Sequence, residues 1–374
     1  MDGSAQGANR QIARAAVTVM AAFIFSSLTG LVRQILISRV FGTGLEVDAF
    51  NAASTFPDLI FNLIAGGALA SAFVPTFTSF LTKNDRNGAW QLASSVANII
   101  VILLSALSLI SIPLAPQIVH YILAPEFSPE QQALTASLLQ ILLISPTIFG
   151  ISGLLMGILN SHQIFLWPAL APSMYGIGVI LGVLFLVPWM GVYGLPCGAV
   201  LGAALHLAVQ LPALIKLPER RYFFMLGLHL AAVRDVARLM APRLLGVAVV
   251  QLNFVVNTII ASGLSQGSLT AIKVAWIVMY MPQAAIAQAI AIAALPTFSA
   301  QVARGEYNQM RASLVATLRG ILFLSLPVSV GLIILRTPVI AMLFQRGAFD
   351  SHSTDMVAWA LLWYAAGLVG HCFV

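Results

Sequence analysis

Five charged residues lie within or at the edge of long apolar runs: Arg33 and Arg39 in the first, Asp48 and Asp58 in the second, and Lys273 in a later one. A charge at the bilayer centre costs roughly 2.5–3.5 kcal/mol on insertion scales, so such a side chain ordinarily faces a wet cavity or a partner. Arginine presents a planar fork that suits phosphate oxygens, and lysine adds a point charge. Three cationic heads around one cavity would suit an anionic group such as a diphosphate. Arg33, at least midway along its run, is read as a substrate contact. The structural alternative is an ion pair with Asp48 or Asp58 that ties helices together. Arg39 is nearer the outer end, where snorkelling is the ordinary reading. Lys273, also near an outer end, is open to both readings. Asp48 opens the second run, either as a helix cap or as the partner of an arginine. Asp58 lies about three turns further along.

The elements that must carry these residues follow from composition. Apolar residues make up 60% of the 374-residue chain and charged residues 8%, with a mean hydropathy of +0.96. Soluble domains are about 25% charged. A soluble core cannot hold this much apolar surface, so the solvent is lipid. The net charge of +6 does not indicate nucleic acid, because the basic residues occupy short loops between apolar runs. The first run continues from residue 15 to Phe41 without a small-residue cleavage site and is read as an uncleaved helix, not a signal peptide.

Ten apolar stretches are predicted as spanning helices, at 15–41, 48–81, 90–113, 132–158, 165–188, 193–215, 240–262, 269–302, 312–335 and 354–374. Pro57, Pro75, Pro282 and Pro296 fall inside the second and eighth, which predicts bent helices facing a cavity. A cytoplasmic N-terminus puts most of the 18 lysines and arginines on the cytoplasmic side, in the loops around Lys83, Lys216–Arg243 and Arg304–Arg319. Only Arg336 and Arg346 then fall outside, a strong positive-inside bias.

The segment 216–239 reads as an amphipathic linker on the cytoplasmic surface, drawn to anionic lipid. It separates a six-helix lobe, 1–215, from a partial lobe of about four helices, 240–374. The halves resemble each other. Val74-Pro75-Thr76-Phe77 matches Leu295-Pro296-Thr297-Phe298 at an offset of 221 residues (296 − 75), and Gly42 matches Gly263 at the same offset. The expected fold is therefore an all-α polytopic membrane helix bundle of two parallel-repeat lobes. Such lobes place substrate at their interface. The second lobe is incomplete, and the sequence reads as C-terminally truncated.

Other chemistry is not supported. The six histidines are scattered, with His120, His162 and His352 in predicted loops, and none has metal spacing. Cys197 and Cys372 offer neither a metal site nor a disulfide framework. Gly66-Gly67 reads as a close helix contact. With no phosphate-binding loop, nucleophile elbow or catalytic carboxylate pair, no enzyme and no cofactor is expected.

The runs Gly30-Leu-Val-Arg33, Arg39-Val-Phe41-Gly42-Thr-Gly44 and Asp48-Ala49-Phe50 resemble the opening of the MurJ (MviN) lipid II flippase family, within the multidrug/oligosaccharidyl-lipid/polysaccharide exporter superfamily. Gly67 to Pro75 resembles that family's second-helix signature. Leu343-Phe-Gln-Arg346-Gly347-Ala-Phe349 resembles its loop between the ninth and tenth helices. The resemblance implies fourteen helices, of which this chain lacks about the last four, and a cationic cavity for the lipid II head group. It also implies functional importance for Arg33 and Asp48. Several charges common in the family are replaced here, by Ser27, Gln34, Phe61 and Ile277. Lys273, one turn before Ile277 on the same face, is read as partly replacing an arginine there.

The function so implied is flipping of a lipid-linked peptidoglycan precursor by alternating access across the bacterial inner membrane, in cell-wall synthesis. The expected partners are lipid II or a related polyprenyl-diphosphate-linked glycan, membrane lipids, and other cell-wall synthesis proteins. The alternatives are a multidrug/cation antiporter of the same superfamily and a non-transporting cell-wall scaffold.

Overall fold

Backbone polar groups in hydrocarbon must be satisfied within their own segment, so an apolar chain of this kind folds into helices. The computed structural model describes residues 2–64, 68–218 and 220–373, and the regular elements among them are all helical. The first part of the chain forms α1 (Asp2–Phe41), α2 (Leu45–Ile64), α3 (Ala68–Thr82), α4 (Arg86–Ile118), α5 (Pro129–Leu142) and α6 (Ser145–Ser161). Then come α7 (Leu166–Leu181), α8 (Val187–Met190), α9 (Gly194–Ala208) and α10 (Leu211–Ile215). The last part holds α11 (Ala231–Ser262), α12 (Ser268–Gln283), α13 (Ala289–Ala303), α14 (Tyr307–Phe344) and α15 (Ser351–His371). The Gly66-Gly67 pair lies outside the described residues.

Among the described residues, 7 helical stretches are long and apolar enough to cross a membrane. The ten predicted runs reduce to these when Leu166–Ile215 counts as one stretch and the 45–82 and α15 segments are set aside. Large apolar side chains such as Phe23, Leu109, Phe185 and Phe323 are more than half exposed, as lipid-facing residues must be. Wider, π-helical turns follow three helices, at Val119–Leu123, Gly182–Leu186 and Ala284–Gln288. The last comes directly after Pro282, whose missing N–H disturbs the regular ladder.

The repeat seen in four residues extends to the helix boundaries. Helix α3 and helix α13 end 221 residues apart (303 − 82). The same step relates the ends of α1 and α11 (262 − 41) and the starts of α4 and α14 (307 − 86). Pro75 and Pro296 occupy the same place in their helices. Two halves whose helix ends keep one register are built to one plan.

The chain forms two compact units, Met1–Leu36 with Asp48–Ser265, and Ile37–Val47 with Gln266–Val374. In the first unit, α7 and α9 cross at their glycines. A Cβ on Gly182 would come within 2.6 Å of the Gly198 Cα, and one on Gly178 would overlap the Gly202 backbone. Gly178-x-x-x-Gly182 thus faces Gly198-x-x-x-Gly202, the small-residue spacing that lets membrane helices approach closely. Helices α2 and α11 are joined by the Thr55 and Thr258 hydroxyls, 3.3 Å apart, and by Asn62 Nδ2 donating to Gln251 Oε1 at 3.4 Å. Residues 220–226 form no regular element and are fastened to α4. There Asn98 Nδ2 donates to the carbonyls of Phe223 (3.2 Å) and Met225 (2.8 Å), and the Phe223 N–H donates to Ser94 Oγ. Tyr222 and Phe224 remain exposed beside Arg220 and Arg221.

The second unit joins the end of α1 to the turn between α14 and α15. The Ala348 N–H donates to the Arg39 carbonyl at 2.8 Å, and the Thr43 and Ser353 hydroxyls are 3.0 Å apart. Gly42 (φ +59) lies against the Ala348 carbonyl, and Gly347 (φ +64) against that of Arg39. Each position needs glycine twice over, for its left-handed backbone and for the absent Cβ. Two sequence motifs about 300 residues apart are therefore one interlocked structure.

Asp350 caps α15, accepting from the Ser353 N–H at 2.8 Å. That donation, with the Ser353 side-chain contact next in order, holds the Asp350 carboxyl below its ordinary value. A depressed folded value means that the stabilisation is present above the unfolded carboxylate range and is lost as pH falls through the folded value. Acidification is therefore expected to weaken the start of α15, seen as faster amide exchange at Ser353 and Thr354. Asp350→Asn should remove that pH dependence.

Candidate functional site

Arg33 is half-buried, and its guanidinium lies over the Tyr175 ring of α7, 5.4 Å from the centroid. Asp58 of α2 lies within electrostatic reach of the same tyrosine. Behind Tyr175 stands Phe149 of α6, edge-on at 5.3 Å, and behind Phe149 stands Phe61 of α2 at 4.8 Å. Phe61 occupies a position where the family pattern often has arginine. Here Phe61 backs the aromatic stack whose outer ring, Tyr175, lies beneath the Arg33 guanidinium.

Asp48 is 2% exposed and engaged with a partner. It lies one turn inside α2, which begins at Leu45, so the capping reading is corrected: the side chain is a buried interior group. Gln34 is likewise buried and engaged. Asp58 is exposed and also carries an interaction. These residues belong to the first unit.

Arg39 and Lys273 belong to the second. Arg39 is exposed, as a snorkelling side chain near a helix end is, while its carbonyl takes part in the interlock with Ala348. Lys273 is half-buried in the second turn of α12 and engaged. One turn along is Trp276, which packs with Tyr364 at 5.5 Å and His371 at 5.4 Å.

Reading by sequence missed Tyr175, since a tyrosine in an apolar helix carries no distinguishing signal. It also missed a buried polar cluster behind the aromatic stack: Ser152 of α6, His206 of α9 and Gln210 in the turn before α10. The glycine spacing that seats α7 on α9 was missed as well, although it stands in the sequence as two small-residue motifs, Gly178-x-x-x-Gly182 and Gly198-x-x-x-Gly202. Among the described residues no group of histidine, cysteine or carboxylate side chains is placed to hold a metal ion.

A bundle of long apolar helices, several with proline inside them, around a half-buried arginine at a polar aromatic site is the architecture of a polytopic membrane protein. It is shared with an inward-facing multidrug-resistance MATE transporter of the MOP superfamily, to which the chain is 15% identical with a TM-score of 0.73, over 96% of this chain and 84% of that one. At that identity the likeness is one of fold. The family model for the lipid II flippase MurJ matches residues 37–374, and this protein belongs to that family. The lipid II flippase MurJ of Burkholderia cenocepacia is 33% identical over 364 residues, covering 96% of this chain and 70% of the relative. A solved structure of lipid II flippase MurJ in an inward closed conformation superimposes with a TM-score of 0.83 at 27% identity, over 95% of this chain and 73% of that one. The family is one of membrane transporters, not of enzymes.

Proposed function

We propose that this multi-pass membrane protein carries lipid II, a polyprenyl-diphosphate-linked peptidoglycan precursor, across a bacterial inner membrane by alternating access, with Arg33 contacting the diphosphate. Family membership supports the substrate. The observation that carries the role of Arg33 is its guanidinium, half-buried in an apolar helix and held against Tyr175 with Asp58 nearby. A guanidinium steadied at a ring face keeps its in-plane donors for phosphate oxygens. Asp58 limits the net positive charge when the site is empty. Asp48 supports the site as a buried polar partner one turn inside α2, and Arg39 meets phosphate or interface near the outer end.

The N-terminus faces the cytoplasm in this reading, with the basic loops on the same side. Residues 1–215 and 240–374 act as the two lobes of the repeat, linked by 216–239 at the cytoplasmic surface. Tyr222 and Phe224 there supply aromatic contact with the lipid interface. Membrane potential favours the return of an empty cationic cavity, at about 2.3 kcal/mol per charge per 100 mV.

The test is depletion of the protein in cells, followed by measurement of lipid-linked precursor accessible from outside. Re-expression is expected to restore access. No change on depletion in cells that lack another flippase would refute the function. Lys273→Ala is expected to weaken binding of a polyprenyl diphosphate to the purified protein by about 3- to 10-fold, the net worth of one ordinary hydrogen bond at a half-buried side chain near the outer end. Unchanged affinity would remove Lys273 from the site.

A further inference from the structure

The cluster behind the aromatic stack has its own chemistry. Ser152, His206 and Gln210 are each 4% exposed or less. Ser152 Oγ is 2.6 Å from His206 Nδ1 and 3.2 Å from the His206 carbonyl. Gln210 Nε2 donates to Ser152 Oγ at 2.6 Å and to the same carbonyl at 2.9 Å. Gln210 Oε1 is buried and accepts no hydrogen bond among the described residues.

Counting donors shows what this arrangement permits. With His206 neutral and Nδ1 bare, the serine hydroxyl donates to Nδ1. With a proton on Nδ1, the ring donates to Ser152 Oγ, and the hydroxyl turns to the His206 carbonyl already within reach. Gln210 donates to the serine in both cases. The Nδ1 side of the ring is thus satisfied in both protonation states by the same heavy atoms, without movement of a helix. A histidine kept only for packing needs one partner, and it does not need an alternative acceptor for that partner's proton. An ionisable residue buried in a membrane helix is expensive and by default points to function.

The cluster also adjoins the anion site. Phe149 stands edge-on to His206 at 5.3 Å and edge-on to Tyr175 at 5.3 Å, and Tyr175 carries Arg33. The titratable side chains on the helices packed around α9 are Glu130, Tyr175 and Tyr193, with Cys197 on α9 itself. Of these, Tyr175 shares the Phe149 ring with His206.

We propose that His206 is a proton-binding site, and that its proton and an anion at Arg33 favour each other through the Phe149–Tyr175 stack. The coupling rests on the function proposed above; the proton site does not. A positive charge behind the stack strengthens the field that a diphosphate meets, and by linkage the bound anion favours the proton equally.

The experiment uses the full chain in nanodiscs with ¹⁵N-labelled histidine. The resonance missing from His206→Gln identifies the residue. It is expected to switch between neutral and protonated ring shifts on acidification, and Ser152→Ala should displace that switch. A resonance held in one tautomer throughout would overturn the proton site. In weak buffer, adding a polyprenyl diphosphate should draw protons from solution with the wild type and not with His206→Gln. Equal uptake by both would overturn the coupling. If the wild type binds no polyprenyl diphosphate, the reading of Arg33 and the coupling both fall, while the resonance still decides the site. Should His206→Gln not fold, loss of uptake in Ser152→Ala is the supporting result, and unaltered uptake together with an unaltered switch is the overturning one.

Discussion

Arg33→Ala is expected to lower the rate at which lipid-linked precursor reaches the outer face by roughly 10- to 100-fold, since a hydrogen-bonded charge contact is worth about 1.5–3 kcal/mol. The residue sits too deep for water to replace it cheaply. Arg33→Lys should recover only part of the activity, because an ammonium cannot offer the bidentate fork. Tyr175→Phe should be nearly neutral, as it keeps the ring that the guanidinium rests on, whereas Tyr175→Ala should cost several-fold by freeing Arg33 to wander. The ordering Ala below Lys below wild type, at equal protein levels in the membrane, separates a phosphate contact from a packing role. If Arg33 only tied helices together, the alanine variant would lose thermal stability in step with activity. Retained stability with lost translocation is the outcome expected here.

Gly178→Leu should do the reverse and abolish the folded protein. A Cβ at Gly178 would already overlap the backbone of Gly202, and on both sides of this crossing the nearest atoms are backbone, which cannot rotate away. Overpacking of a yielding core costs about 1–3 kcal/mol. A helix pair forced apart along its crossing loses its dispersion contacts as well, so the cost lies at or above the top of that range. Gly202→Leu should behave alike. Gly246→Ala is the control: no atom stands within 4 Å of a Cβ there, and alanine gains about 1 kcal/mol of helix propensity. Detergent-extracted protein run on size exclusion, with thermal unfolding of whatever is recovered, reads all three. Monodisperse Gly178→Leu protein of normal stability would show that the close crossing is not required.

The repeat was legible from a few residues and proved deeper than they suggested. Val74 to Phe77 and Leu295 to Phe298 share one register, and the structure carries that register into the helix boundaries, α3 with α13 and α4 with α14. Proline and glycine explain why. They act on the backbone where they stand, so their spacing in the chain becomes the spacing of bends and ends.

Hydrophobicity alone, read along the chain, determined that this protein is a bundle of membrane helices, because transfer into lipid depends on composition over about twenty residues and on little else. It also singled out Arg33, Asp48 and Lys273, since a charge in hydrocarbon is costly wherever its neighbours lie. What each charge meets was decided only in three dimensions. Asp48 turned out to be a buried interior residue and not a cap, Arg33 lies on Tyr175, and His206 meets Ser152 and Gln210 across two helices. Those partners are distant in sequence, and helix rotation and crossing, set here by glycines such as Gly178 and Gly202, choose which side chains face one another.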